Sequence, residues 1–224
     1  MTLALLVATP EIARALILGQ TDDFQDGTAQ NWGTGAGPAS NITDGGPGGS
    51  GDHYLQYTSS GGGGTDSRMV VFNSSQWQGD YNSAGITGIS VDLDNLGTQA
   101  LSIRLAFFVS RTTGFVTTTP VALSASANWQ HTTFALTPAN FTTIGSPGAF
   151  STLLSNFTGQ LRILSSSSPS LLGDSVSATI GIDNVQAIPE PNTYLMVVVG
   201  LLLLGSAVQI LPRQHPQRVS TRRR

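Results

Sequence analysis

The stretch GISVDLDNLGTQALSIRLAFF, residues 88–108, decides the fold. Ile89, Val91 and Leu93 alternate with Ser90, Asp92 and Asp94. Asn95 and Gly97 then supply turn chemistry, and Leu101, Ile103, Leu105 and Phe107 alternate with Ser102 and Arg104. A period of two sends one set of side chains to a buried face and the other toward water, the pattern of strands in a half-covered sheet.

Working outward, Val176, Ala178, Ile180 and Ile182 repeat the alternation. Shorter strand candidates are His53–Thr58, Arg68–Asn73, Gly114–Thr119, Trp129–Leu136 and Gln160–Leu164. Phe150, Leu153, Leu154 and Phe157 are spaced i, i+3, i+4, i+7, which predicts one short helix or turn among them. Eight strands with glycine-rich connections and antiparallel patterning predict an all-β chain folded as a two-sheet sandwich. The tract GGPGGSGD (Gly45–Asp52) and the run Gly61–Gly64 read as loops. Neither has the strand-to-helix context and following lysine that a phosphate cradle needs.

Composition agrees. Residues 21–188 are long enough for one domain with its own core. They hold four arginines against eleven aspartates, a balance of −7 that the arginines of the tail hide in the overall −3. The chain has no lysine and no cysteine, and both glutamates lie outside the segment. Such a domain does not bind nucleic acid, whose phosphates demand clustered Lys and Arg, and it uses no disulfides. Cations and neutral sugars are the compatible partners.

The tail IPEPNTYLMVVVGLLLLGSAVQILPRQHPQR, residues 188–218, is of another kind. Thr193–Leu211 carries no charge and as a helix would rise about 28 Å, close to the hydrocarbon thickness of a bilayer. Arg213, Arg218, Arg222, Arg223 and Arg224 follow, so by the positive-inside rule that end stays in the cytoplasm and the preceding domain faces out. The triplet Pro189-Glu190-Pro191, the single span and the basic end together resemble the PEP-CTERM sorting signal of exported proteins from bacteria that make extracellular polysaccharide. That resemblance implies processing near the triplet by an exosortase, a membrane cysteine protease, and a final place at the cell surface or in the extracellular matrix. The prolines suit a protease site, because they bar helix and keep the chain extended. At the other end, residues 1–20 read as an imperfect signal peptide, interrupted by Pro10, Glu11 and Arg14. The organisation expected is therefore leader 1–20, exodomain 21–188 and sorting signal 189–224, with triplet 189–191, transmembrane helix 193–211 and basic tail 212–224.

Within the exodomain, DDFQDGTAQNW (22–32), WQGDYNSAGITGISVDL (77–93) and ATIGIDNVQAI (178–188) resemble jelly-roll domains of the laminin-B and carbohydrate-binding type. The resemblance implies a jelly-roll β-sandwich whose first and last strands are neighbours, with a calcium ion commonly bridging them. Asp23 and Asp26 in the opening turn and Asp183 in the closing strand are the candidate ligands, since calcium takes hard oxygen donors. The bland alternative is a solvated acidic turn.

No catalytic set is evident. There is no Gly-x-Ser-x-Gly elbow, and most aspartates sit in turn-forming contexts rather than as a paired acid and nucleophile. His131 shares a strand face with Trp129 and Thr133. Among the aromatics, Trp32 and Trp129 read as core, whereas Trp77 and Tyr81, beside Gly79 and Asp80, read as a loop pair facing a ligand. The expectation is a non-catalytic surface or matrix protein, with extracellular polysaccharide as the ligand. The alternatives are a secreted polysaccharide hydrolase and a purely structural biofilm component.

Overall fold

A computed structural model of the chain describes residues 16–126 and 128–189. In order, the first strands are β1 (Thr21–Asp22), β2 (Trp32–Thr34), β3 (Gly37–Pro38), β4 (Ser40–Ile42), β5 (Tyr54–Ser60), β6 (Val70–Asn73) and β7 (Gly88–Asn95). They are followed by β8 (Leu101–Ser110), β9 (Thr113–Thr117), β10 (Val121–Leu123), β11 (Gln130–Ala135), β12 (Phe141–Ile144), β13 (Gln160–Ser165) and β14 (Ser177–Ile188). One short helix, α1 (Phe150–Leu154), stands where the i, i+3, i+4 spacing placed it, with Phe150, Leu154 and Phe157 all buried.

The strands form two antiparallel sheets. The first has the order β11-β7-β14-β5-β4, with β1 added to β14; the second runs β12-β9-β8-β13-β6-β2-β3, with β10 added to β8. Ile89, Val91, Leu93, Ile180 and Ile182 of the first sheet share one core cluster with Ile103, Leu105, Phe107, Leu161 and Ile163 of the second. The domain is therefore a β-sandwich, closed by the residues that the period-two pattern assigns inward. Each fully buried Leu, Ile or Phe of this kind contributes about 1.5–3 kcal/mol of transfer free energy.

Asn95, at the end of β7, does more than turn the chain. It donates from Nδ2 to the carbonyls of Gln99 (2.8 Å) and Ser124 (2.9 Å), and its Oδ1 accepts from Gly97 N at 3.1 Å. The β7–β8 connection is thus tied to the segment after β10.

Arg104 takes the face opposite Ile103 and Leu105, as expected, but that face is covered and the side chain is not open to water. It is 3 % exposed, donating from Nε to Ser166 O and from Nη1 to the carbonyls of Thr117 and Thr118. The outer face of the second sheet has a covering of its own, a small cluster of Ala106, Val116, Leu164 and Leu171.

At the N-terminus the fold begins before the boundary expected at residue 21. Leu16 is buried against the core, Gly19 N donates to Ala187 O at 2.9 Å, and Ala187 N donates to Gln20 O at 2.9 Å. These bonds extend the pairing of β1 with β14, the expected neighbours, so Leu16–Gln20 belong to the sandwich.

No helix among the described residues is long and apolar enough to cross a membrane. The run Thr193–Leu211, the basic tail, and Glu190 and Pro191 lie outside the described residues, as do residues 1–15; Pro189 is described and exposed.

Candidate functional site

The outer face of the first sheet is built by strand parity. Because Ile180, Ile182, Leu93 and Leu55 point inward, Gly181, Asp183, Asp92, Asp94, Tyr54 and Gln56 take the opposite face. Two rungs cross it. Gln56, Gly181 and Asp94 are paired across β5, β14 and β7; on the next rung, Asp183, Asp92 and His131 are paired across β14, β7 and β11.

Trp129 lies over the first rung. It immediately precedes Gln130, whose partner is Leu93, so it stands beside Asp94. Its ring meets Tyr54 edge-on, with centroids 5.3 Å apart at 78°. Gly181 makes room for it: a Cβ there would come within 2.9 Å of Trp129 Cη2. The indole Nε1 donates to Gly45 O at 3.0 Å, so the glycine-rich loop 45–52 holds the ring from one edge. Trp129 is half-buried, whereas Trp32 and Trp77 are 1 % and 0 % exposed. Among the three tryptophans it alone offers ring surface to a ligand.

Asp94, beside this ring, is 7 % exposed, and its Oδ1 has no hydrogen-bond partner among the described residues. Burial raises its pKa above the ordinary carboxylate value, offset by the backbone N–H of Asn95. Burial, and then the Asp94 charge, likewise raises the Tyr54 phenol, which donates to Gln56 Oε1 at 3.3 Å. An orphaned acceptor beside an aromatic ring can take a hydroxyl or another donor from a bound molecule.

The second rung is a chain of polar contacts. His131 Nδ1 lies 2.7 Å from Asp92 Oδ1, and Asn184 Nδ2 donates to Asp92 Oδ2 at 2.9 Å and to Asp183 Oδ2 at 3.3 Å. Asn184 has φ 49° at the bulge where β14 shifts register between Asp183 and Gln186. Asp183 is wholly buried, and its pKa is pushed up to about 7, first by burial and then by the charges of Asp52, Asp92 and Asp23.

Of the expected calcium ligands, Asp23 and Asp183 thus share one electrostatic neighbourhood, and Asp26 does not join them. Asp26 is exposed and turns its Oδ1 back to the N–H and hydroxyl of Thr28, both at 2.8 Å. Asp52 stands in its place; its carboxylate accepts from Gly48 N (2.6 Å) and Gln25 Nε2 (2.7 Å). Among the described residues no three His, Asp or Glu side chains gather closely enough to hold a metal by themselves. The triad of Asp23, Asp26 and Asp183 is therefore not formed.

The ligand-facing pair Trp77 and Tyr81 is also corrected. Both are 0 % exposed. Tyr81 packs edge-on against Phe107 at 5.3 Å and donates its hydroxyl to Trp77 O at 2.7 Å. The loop sequence around them is real, since Asp80 closes a turn on Ser83, but the turn folds inward and its aromatics fill the core. Parity held the missed signal. Phe134 and Leu136 are apolar at even positions, so Trp129, His131 and Thr133 must face out together.

Another groove, about 1130 Å³, lies elsewhere, lined by Gln20, Asp22, Gln30, Asn31, Trp32 and Gln76 among others. Its amides are already spent on one another: Gln76 Nε2 donates to Gln30 O and Asp22, and Asn31 Nδ2 donates to Gln76 Oε1. The groove presents no orphaned buried polar atom, and the Trp129 face does.

No protein-family model matches the chain, and no curated protein matches it. Among solved structures, an exo-β-agarase is similar over 79 % of this chain at 14 % identity with TM-score 0.56, and this chain spans only 26 % of the agarase's length. A family 11 carbohydrate-binding module from Clostridium thermocellum, in complex with a β-1,3-1,4-mixed-linked tetrasaccharide, is similar over 78 % of this chain and 98 % of its own, at 15 % identity and TM-score 0.47. At these identities the likeness is one of fold.

Proposed function

We propose that this is a non-catalytic carbohydrate-binding protein of the cell surface or extracellular matrix, and that the outer face of its first sheet is the binding site. One observation carries the reading: the partly exposed Trp129 side chain packs over Gly181, on the same face as the unpartnered Oδ1 of Asp94. A pyranose presents a C–H face to an aromatic ring and hydroxyls at its edge, and this pairing of ring and acceptor matches both. The fold likeness to part of an exo-β-agarase is in keeping with a carbohydrate ligand. Binding without turnover is supported by the absence of an evident acid–nucleophile pair in the sequence and by the engagement of Asp92 and Asp183 with His131 and Asn184. Affinity electrophoresis of the full chain through gels containing polysaccharides is the test. Retardation by at least one polysaccharide, lost in Trp129→Ala, supports the reading; retardation by none, or release of reducing sugar by purified protein, contradicts it.

The finer assignments rest on sequence. The sandwich is of jelly-roll type, and Pro189-Glu190-Pro191, the span Thr193–Leu211 and the arginine tail form a sorting signal that an exosortase cuts after export. Support comes from the three-part order and from the cost of about 2.5–3.5 kcal/mol for each charged residue moved to a bilayer centre, which keeps the arginines on the cytoplasmic side. Mass spectrometry of the exported protein checks it: a C-terminus still ending at Arg224 rules the assignment out. Calcium, if bound, falls to Asp183 and Asp23, completed by backbone carbonyls. It would then raise the melting temperature relative to a chelator.

A further inference from the structure

The four arginines between residues 21 and 188 are distributed unevenly. Arg104 lies in β8 and Arg162 in β13; Arg68 precedes β6, and Arg111 follows β8. All four stand on or beside the second sheet, and three are already spent there: Arg68 on Gly173 O, Arg104 on carbonyls, and Arg162 on Gln160 and Leu171 O, with its guanidinium 3.3 Å from the Phe108 ring centroid. The first sheet has no Lys or Arg in any of its strands. Its outer face carries Asp92, Asp94 and Asp183, with Asp52 close by and His131 as the one titratable base.

Several hydrogen-bonding groups of that face are already engaged. Trp129 Nε1 is occupied by Gly45 O, Asn184 Nδ2 by Asp92 and Asp183, and the hydroxyls of Thr58 and Thr179 by each other at 2.8 Å. The one buried side-chain atom of that face left without a partner is an acceptor, Asp94 Oδ1. Asp94 lies on the outer face of the sheet and is 7 % exposed, so a ligand reaches its carboxylate only when a covering side chain moves aside. A ligand group that donates a hydrogen bond satisfies this atom, and a second negative charge is disfavoured on a face already crowded with carboxylates. Uronic acids and sulfated sugars bring that charge, and their acid groups accept without donating at neutral pH.

We infer that the ligand is a glycan without acid groups, and that Asp94 is its specificity-determining contact, accepting a hydroxyl or amino hydrogen of the sugar stacked on Trp129. This rests on the proposed carbohydrate-binding function and goes further, since an acidic glycan would satisfy that function and violate this. Hydroxyl-rich neutral chains and amino sugars both meet the requirement; alginate and sulfated galactans do not.

The experiment is a binding panel with the full chain: mixed-linkage β-glucan, agarose oligosaccharides and chitosan oligosaccharides against alginate and carrageenan. Each probe is measured with wild type, Trp129→Ala, Asp94→Ala and Asp94→Asn. Expected is that at least one non-acidic probe binds ten times or more tightly than either acidic one. Asp94→Ala should weaken that binding at least tenfold with the melting temperature held or raised, and Asp94→Asn, which keeps an oxygen acceptor, should lose less. Equal or tighter binding of an acidic probe, abolished by Trp129→Ala, overturns the ligand class and leaves the glycan site standing. Full-strength binding of the preferred probe by Asp94→Ala overturns the role of Asp94. If no probe binds, or Trp129→Ala changes nothing, the inference and the proposed function fail together.

Discussion

Asp22 Oδ2 accepts a hydrogen bond from Trp77 Nε1 at 2.6 Å inside the sandwich. The same oxygen accepts from Trp32 Nε1 at 2.7 Å and Gln76 Nε2 at 3.1 Å, so one buried carboxylate satisfies two indoles and an amide. Burial raises the Asp22 pKa although all three donors pull it down. Asp22→Ala leaves two buried N–H groups unpaired and should cost roughly 3–5 kcal/mol, read from urea unfolding. Asp22→Asn keeps an acceptor and should cost less.

Trp77 and Trp129 should respond in opposite ways. Trp77→Ala empties a fully buried site and should destabilise by about 3–5 kcal/mol, which makes it a folding variant and not a binding probe. Trp129→Ala removes a half-exposed ring, and its stability loss should stay near 1 kcal/mol while glycan retention is lost. Thermal melts beside affinity gels separate the two effects.

A different route to the same site runs through Gly181. Gly181→Val drives a side chain into the space held by Trp129 Cη2, so the ring must leave the face. Weakened glycan binding and a shifted tryptophan emission are expected, with the strand intact because β-branched residues suit it.

Asp183 gives the pH dependence. Its folded pKa of about 7 lies above the ordinary carboxylate value of 3.8, so the folded state holds this proton more tightly than the unfolded one. The stability from that group is complete below about 3.8 and is lost as pH rises through about 7. In a chelator, the melting temperature should therefore fall between pH 5.5 and pH 8, and Asp183→Asn should flatten that part of the profile. A bound divalent cation favours the ionised form and should flatten it too.

Much of this architecture was legible. Alternation identified the central strands, because a residue between two sheets must be apolar and its neighbour need not be; Ile89, Val91 and Leu93 are each 0 % exposed. The short strands β2, β3, β4, β10 and β12 carry too few residues for a period to show. The site was read less well. Trp77 and Tyr81 sit in a sequence that looks like a surface turn, and only the docking of that turn on Phe157, through Gly79, carries them inward. Asp26 looked equivalent to Asp23, yet its turn aims it at Thr28. No sequence period reports where a turn points.

The three tryptophan indole N–H resonances test the binding face most directly. Titrating wild-type protein with the saccharide that retains it, in a ¹H–¹⁵N spectrum, should move the one resonance missing from Trp129→Ala. The indole signals of Trp32 and Trp77, both bonded to buried Asp22, should stay in place. Movement of either of those two while the Trp129 signal stays fixed would contradict a site on the outer face of the first sheet.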